Sequence, residues 1–289
     1  MLLARSNSVD KNTEKDNMNF VRGFLCATAI TFFSLTCSAG ETLHFDSLDP
    51  AHPYSVSGEL FLTPKAIGAV PAVVVIHGSG GKDERTEFFV EELPKHGIAA
   101  FVVDYKTAIF HTPSDRPPND TFIAATYAAL KLLQSRSEII AEKIGVMGFS
   151  LGGQQTLSAT LPKFKRMWIG DDASKFRLHV AFYPGCKFCA RKLNSEAHIE
   201  VPIQVFCGTS DAYGDGEFCP KLKEQLANIS SGEFDFVAFD GAHHGFDGSK
   251  IGHLTDPAAI NKDGNIQGGP DYRDQGRRQA LEFIEKDVK

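Results

Sequence analysis

The chain has no cluster of basic residues, no apolar run of about 20 residues, no second C-x-x-C and a single tryptophan in its 289 residues. Each shortage excludes something. Nucleic-acid binding depends on clustered Lys and Arg to neutralise phosphates, and here 30 basic residues are outnumbered by 36 acidic ones, leaving a net charge of −6. No nucleic-acid partner is expected. A helix needs roughly 20 apolar residues to cross a bilayer, and the apolar stretch from Phe24 to Leu35 is shorter, so no stable membrane span is expected in the mature chain. A lone Cys186-x-x-Cys189, read as following a strand and not as opening a helix, argues against a zinc or redox site. A phosphate loop ending at Lys82 would need Gly at position 76, which is Ile. No internal repeat or low-complexity linker interrupts the chain. No cofactor or metal is implied, and the pattern carries no signal of oligomeric state.

What is present begins with a leader. Arg22, the apolar stretch and then Cys37-Ser38-Ala39 follow the charged, apolar and cleavable order of a secretory signal peptide. The expected layout is a leader over 1–39, translation starting at Met18 and cleavage near Ala39, then one domain over 40–289. A polar tail before a buried helix is the alternative. Export to the periplasm or beyond follows, and the leader's four basic and three acidic residues leave the remainder at −7. Cys186, Cys189, Cys207 and Cys219 then enter an oxidising compartment, where at least one disulfide is expected. Cys219 with Cys186 or Cys189 would brace the loops after two neighbouring strands.

Past the leader, Glu41 to Phe45 and Ser55 to Leu62 alternate apolar and polar residues around a Pro-containing turn, the pattern of an antiparallel hairpin. Ala72 to Ile76 is continuously apolar, as expected of a strand covered on both faces. Strands follow at Ala99 to Tyr105, Ile144 to Gly148, Leu178 to Tyr183, Ile203 to Cys207 and Phe234 to Phe239. Helices are predicted at Glu84 to His96, Asp120 to Gln134, Leu151 to Leu161, Glu217 to Ile229 and Tyr272 to Asp287. Alternating strands and helices imply parallel pairing with right-handed crossovers, so the fold class is α/β: a mostly parallel sheet, an antiparallel N-terminal edge and helices on both faces. Reactive residues in such a sheet collect at the carboxyl ends of its strands.

Gly148-Phe149-Ser150-Leu151-Gly152 fits G-x-S-x-G between a strand and a helix, the setting of a nucleophile elbow. A tight turn there strains Ser150 and leaves no room for a side chain at Gly148 or Gly152. A serine hydroxyl needs a base, and the base an orienting acid. Asp211, after the strand ending at Cys207, and His244, after the strand ending at Phe239, supply both in the order Ser, Asp, His. An oxyanion site is expected from the N–H of Leu151 with that of Ser79, or alternatively Gly80, in the turn His77-Gly78-Ser79-Gly80-Gly81.

With Val103-Asp104-Tyr105, Tyr183-Pro184-Gly185, Gly208-Thr209-Ser210-Asp211 and His244-Gly245-Phe246, these motifs resemble the dienelactone hydrolase family of α/β-hydrolases over nearly all of residues 55 to 289. The resemblance implies a triad of Ser150, Asp211 and His244, with His244 chosen over His243 because it directly precedes Gly-Phe. It implies hydrolysis of a small-molecule ester or lactone; the namesake enzymes carry Cys where this chain has Ser150. A non-catalytic binding protein on the same fold and an acyltransferase with the same triad are the alternatives. Asp215 is a backup acid. His77 is expected to support its own turn, Trp168 either to roof the pocket or to pack, and Lys106 and Arg116 to be solvated loop charges unless they attract an anion.

Overall fold

The computed structural model describes residues 40–64, 67–105, 119–193, 198–211, 213, 215–248 and 269–289. The leader over 1–39, together with Lys106 and Arg116, lies outside the described residues. Eight strands form one sheet: β1 (Glu41–Asp46), β2 (Ser55–Phe61), β3 (Val70–Ile76), β4 (Ala99–Asp104), β5 (Ile139–Phe149), β6 (His179–Phe182), β7 (Ile203–Gly208) and β8 (Phe234–Phe239). Their spatial order is β1-β2-β4-β3-β5-β6-β7-β8. β1 pairs with β2, and β2 with β4, antiparallel; every pairing from β4 to β8 is parallel. The expected architecture is the one observed.

Described helices are α1 (Glu84–Lys95), α2 (Asn119–Gln134), α3 (Leu151–Ser158), α4 (Pro162–Ile169), α5 (Cys186–Lys192), α6 (Asp215–Ile229) and α7 (Gly269–Val288). The main departures from the sequence reading concern three of them. The helix predicted to run to Leu161 stops at Ser158, and α4 starts afresh at Pro162, whose missing N–H costs nothing at a first helical position. α5 begins at Cys186, so the C-x-x-C pair does open a helix; its seven residues are too short to show a clear 3.6-residue period. No group of His, Cys, Asp or Glu among the described residues could hold a metal ion. Among them, too, no helix is long and apolar enough to cross a membrane.

Strand alternation sorts side chains into two cores, because successive residues point to opposite sheet faces. Val74, Ile76, Phe101, Val103, Val146 and Val205 pack with Phe122, Tyr127 and Leu130 of α2 and Leu222 of α6. Val73, Val75, Met147, Phe149, Phe182 and Phe206 pack with Phe89 and Leu93 of α1 and Phe283 and Ile284 of α7. Full burial contributes roughly 1.5–3 kcal/mol for each large apolar side chain, so both layers fasten the central strands. Rigid strand ends follow. β3 sends its chain towards β4 on one side and β5 sends its chain towards β6 on the other, so the connections leave this strand pair in opposite directions, the place where such sheets bind ligands. Ile76 is in register with Gly148, so the turn after β3 and the turn after β5 are neighbours.

Candidate active site

Ser150 sits between β5 and α3 with φ 52° and ψ −114°, a left-handed conformation that costs a non-glycine residue roughly 1–3 kcal/mol. Two glycines make the turn possible. A Cβ on Gly148 would lie 2.4 Å from the carbonyl carbon of Gly152, and one on Gly152 would lie 2.3 Å from the carbonyl oxygen of Ile76. Strand, helix and neighbouring strand thus approach closer than any side chain permits, and the hydroxyl is lifted to the sheet edge.

His244 faces that hydroxyl. Its Nε2 is 2.8 Å from Ser150 Oγ and its Nδ1 is 2.7 Å from Asp211 Oδ2. An ionised carboxylate only accepts, so the hydrogen bond assigns the proton to Nδ1 and leaves Nε2 bare to accept from Ser150. The Asp211 side chain is fully buried, and its other oxygen accepts the N–H of Tyr213 at 2.9 Å. Ser150, Asp211 and His244 are therefore brought together, as the sequence order led one to expect. His243, buried in the same loop, is not the residue that meets Ser150.

The Ser150 N–H donates to the Phe182 carbonyl at 3.0 Å, so it is already engaged. Leu151 is the first residue of α3, where a helix leaves its N–H groups without intrahelical partners. Beside it runs the turn after β3: a Cβ on Gly78 would lie 3.5 Å from Ser150 Cβ, and Gly81 N–H closes the turn on the Gly78 carbonyl at 3.1 Å. Ser79 is the exposed residue next to Gly78. Tyr105 secures the base of the turn by donating its hydroxyl to the His77 carbonyl at 2.7 Å.

The remaining candidates fall into place. His77 is buried, stacks on Tyr105 with centroids 4.2 Å apart, and has Nδ1 2.6 Å from the Gly78 carbonyl. These contacts tie its ring to its own turn. Trp168 on α4 packs against the core. Tyr213 is half exposed with its ring 4.7 Å from that of His244. The side chain of Asp215 lies outside the described residues. The four cysteines are thiols, so the expected disulfide is not formed here, yet Cys186 Sγ is 2.7 Å from Cys219 Sγ. Hydrogen bonds from Cys186 and Cys219 pull the Cys207 thiol well below its ordinary pKa.

Sequence reasoning missed the polar layer beneath the site. Arg85, part-buried, and Tyr183 and Asp247, both buried, form a chain in which Tyr183 Oη lies 3.2 Å from Arg85 Nη1 and 2.5 Å from Asp247 Oδ1. Burial pushes the Asp247 carboxyl up while Arg85 opposes it, and burial raises the Tyr183 phenol far above its usual range. Arg85 reads in sequence as an ordinary charge in a helix's first turn, and nothing local marks it.

The Dienelactone hydrolase family model matches residues 58–263. A probable 2-oxo-3-(5-oxofuran-2-ylidene)propanoate lactonase of Bradyrhizobium sp is 22% identical over 234 residues, covering 72% of this chain and 86% of that protein. Among solved structures, esterase 2 of Thermogutta terrifontis, phosphorylated by paraoxon, superposes with a TM-score of 0.61 at 15% identity, covering 87% of this chain and 95% of that one. The carboxylesterase Cest-2923 of Lactobacillus plantarum superposes at 0.58 and 16% identity, covering 85% and 97% respectively. The chain belongs to the dienelactone hydrolase family and is a hydrolase of α/β-hydrolase fold.

Proposed function

From that membership we propose that the chain is a serine hydrolase of small esters or lactones, working through an acyl-enzyme on Ser150. One observation carries the reading: a single imidazole bridges a strained serine hydroxyl and a buried carboxylate at 2.8 and 2.7 Å. The lactonase of Bradyrhizobium supports lactones as one substrate class.

As Ser150 Oγ bonds to the substrate carbonyl carbon, its proton passes to His244 Nε2 and the carbonyl π pair moves onto oxygen. Asp211 steadies the imidazolium that results. The N–H groups of Leu151 and Ser79 donate to the oxyanion, a form of stabilisation worth about 3–4 kcal/mol per donor in a comparable site. Collapse breaks the bond to the leaving oxygen, which takes the proton from Nε2. Water then attacks the acyl carbon, gives its proton to Nε2, and Ser150 leaves and recovers that proton. A simple ester yields acid and alcohol; a lactone yields one hydroxy acid, because its leaving oxygen stays tethered. The scheme requires no cofactor.

In Ser150→Ala protein, turnover of short acyl esters is expected to fall by about four to six orders of magnitude, with fluorophosphonate labelling abolished. Wild-type turnover in that variant defeats the reading.

The leader pattern supports export, and the near contact of Cys186 and Cys219 supports one disulfide between them once exported. Two thiols would lose two protons and two electrons to a disulfide-form thiol oxidoreductase, itself reduced to the dithiol. Mass mapping of non-reduced protein from its native host should find an N-terminus near Gly40 and a Cys186–Cys219 peptide. Four free thiols on a chain that retains its leader overturn both.

A further inference from the structure

Among the described residues Tyr183 joins Ser150 as a non-glycine residue with positive φ, at 35°, and it follows β6 directly. A strained position persists only where its surroundings over-determine it. Here they do so from four directions. The Tyr183 hydroxyl accepts from Arg85 Nη1 at 3.2 Å and donates to Asp247 Oδ1 at 2.5 Å. Its ring packs edge-on against His244 at 4.7 Å and against Phe246 at 5.5 Å. Tyr183 and Asp247 are both wholly buried.

Each end of this chain is itself tied down. Arg85 lies in the first turn of α1, and its Nε reaches both oxygens of Asp83, the N-cap residue of that helix, at 3.0 Å. Asp247 stands three residues after His244, and its carbonyl accepts from Arg277 of α7 at 2.8 Å. Arg85 and Asp83 are part-buried while the Tyr183 and Asp247 side chains are shut off from water, where hydrogen bonds hold geometry strongly. The segment from Asp240 to Gly248, which carries His244, belongs to no strand or helix. Backbone hydrogen bonds hold its path, Ser210 N–H to the Ala242 carbonyl at 3.0 Å and Gly248 N–H to the Gly245 carbonyl at 2.9 Å, and the orientation of the imidazole is left to side-chain contacts.

We propose that Tyr183 is a positioning residue for His244: clamped between Arg85 and Asp247, its ring forms the floor that keeps the imidazole in line with Ser150. The phenol exchanges no proton with substrate. It acts through the base, and the inference rests on the hydrolase reading above.

The test compares Tyr183→Phe, Asp247→Ala and Asp247→Asn with wild type, using a short-chain p-nitrophenyl ester and counting active sites by fluorophosphonate titration. Since displacing a catalytic group by 1 Å can cost about a hundredfold, Tyr183→Phe is expected to lower kcat about tenfold with KM within about twofold. The low-field proton resonance of the His244–Asp211 hydrogen bond should broaden or vanish with it. Asp247→Asn retains an acceptor for the phenol and should keep kcat within about threefold of wild type, while Asp247→Ala reproduces the Tyr183→Phe loss. Unchanged kcat and an unchanged resonance in Tyr183→Phe, whatever happens to its melting temperature, overturn the inference. If Tyr183→Phe does not fold, equal kcat in Asp247→Asn and Asp247→Ala overturns it instead. Failure of the hydrolase reading looks different, since wild type would then be indifferent to Ser150→Ala.

Discussion

His77 and His244 both follow strands, each beside a tyrosine and within reach of a carboxylate, and of the two only His244 faces the hydroxyl of Ser150. His77 follows β3, stacks on Tyr105 and lies 3.6 Å from Asp104; His244 follows β8, meets Tyr183 edge-on and bonds Asp211. The difference lies in what stands opposite the second nitrogen and in access. His77 spends Nδ1 on a backbone carbonyl and its side chain is fully buried, whereas His244 presents Nε2 to Ser150 and keeps about 13% of its side chain open. Residue type and neighbouring motif do not make a base. In the proposed mechanism an available lone pair across from a hydroxyl does.

The sharpest way to break this contrast is to remove each imidazole. His244→Ala is expected to cost about four to six orders of magnitude in kcat, and Asp211→Asn about two to four, because the carboxylate orients the base without touching substrate. His77→Asn should stay within about tenfold of wild type, its main effect being a lower melting temperature. Equal losses at the two histidines, measured on one ester, would erase the distinction.

A third histidine sharpens the comparison through pH. His179, in β6, is wholly buried with neither ring nitrogen bonded, and burial lowers its pKa to about 3. Between pH 6.5 and 3 the unfolded chain takes up a proton at this residue that the folded chain refuses. Stability is therefore lost as pH falls through that window, at about 1.4 kcal/mol per pH unit. His179→Leu should flatten the acid limb of a urea-denaturation series; an unaltered slope would show that this imidazole finds its proton in the folded state. The effect is confined to stability, and kcat at neutral pH should move least of all.

Much of this arrangement was legible in advance. The apolar run of β3, the glycines bracketing Ser150 and the Ser, Asp, His order each announce themselves over a few residues, because strand burial, tight turns and loop chemistry are local demands. α5 was not legible, since seven residues give too few turns to show a period, and the Cys186-x-x-Cys189 pair was accordingly misplaced relative to a helix start. The helix predicted to end at Leu161 stops at Ser158, and α4 was not predicted because its eight residues, like those of α5, give too few turns to show a period.

The sequence by itself determined the alternation of strands and helices, the elbow, and the identity of the three residues at strand ends. Tertiary structure alone decided that Nε2 of residue 244 meets Oγ of residue 150, that Cys186 lies against Cys219, and that Arg85 reaches Tyr183 across the fold. The physical reason is range. Backbone strain and hydrophobic periodicity act between neighbours in the chain, while a hydrogen bond between residues 94 or 98 positions apart exists only once the sheet has assembled and water has left the space between them.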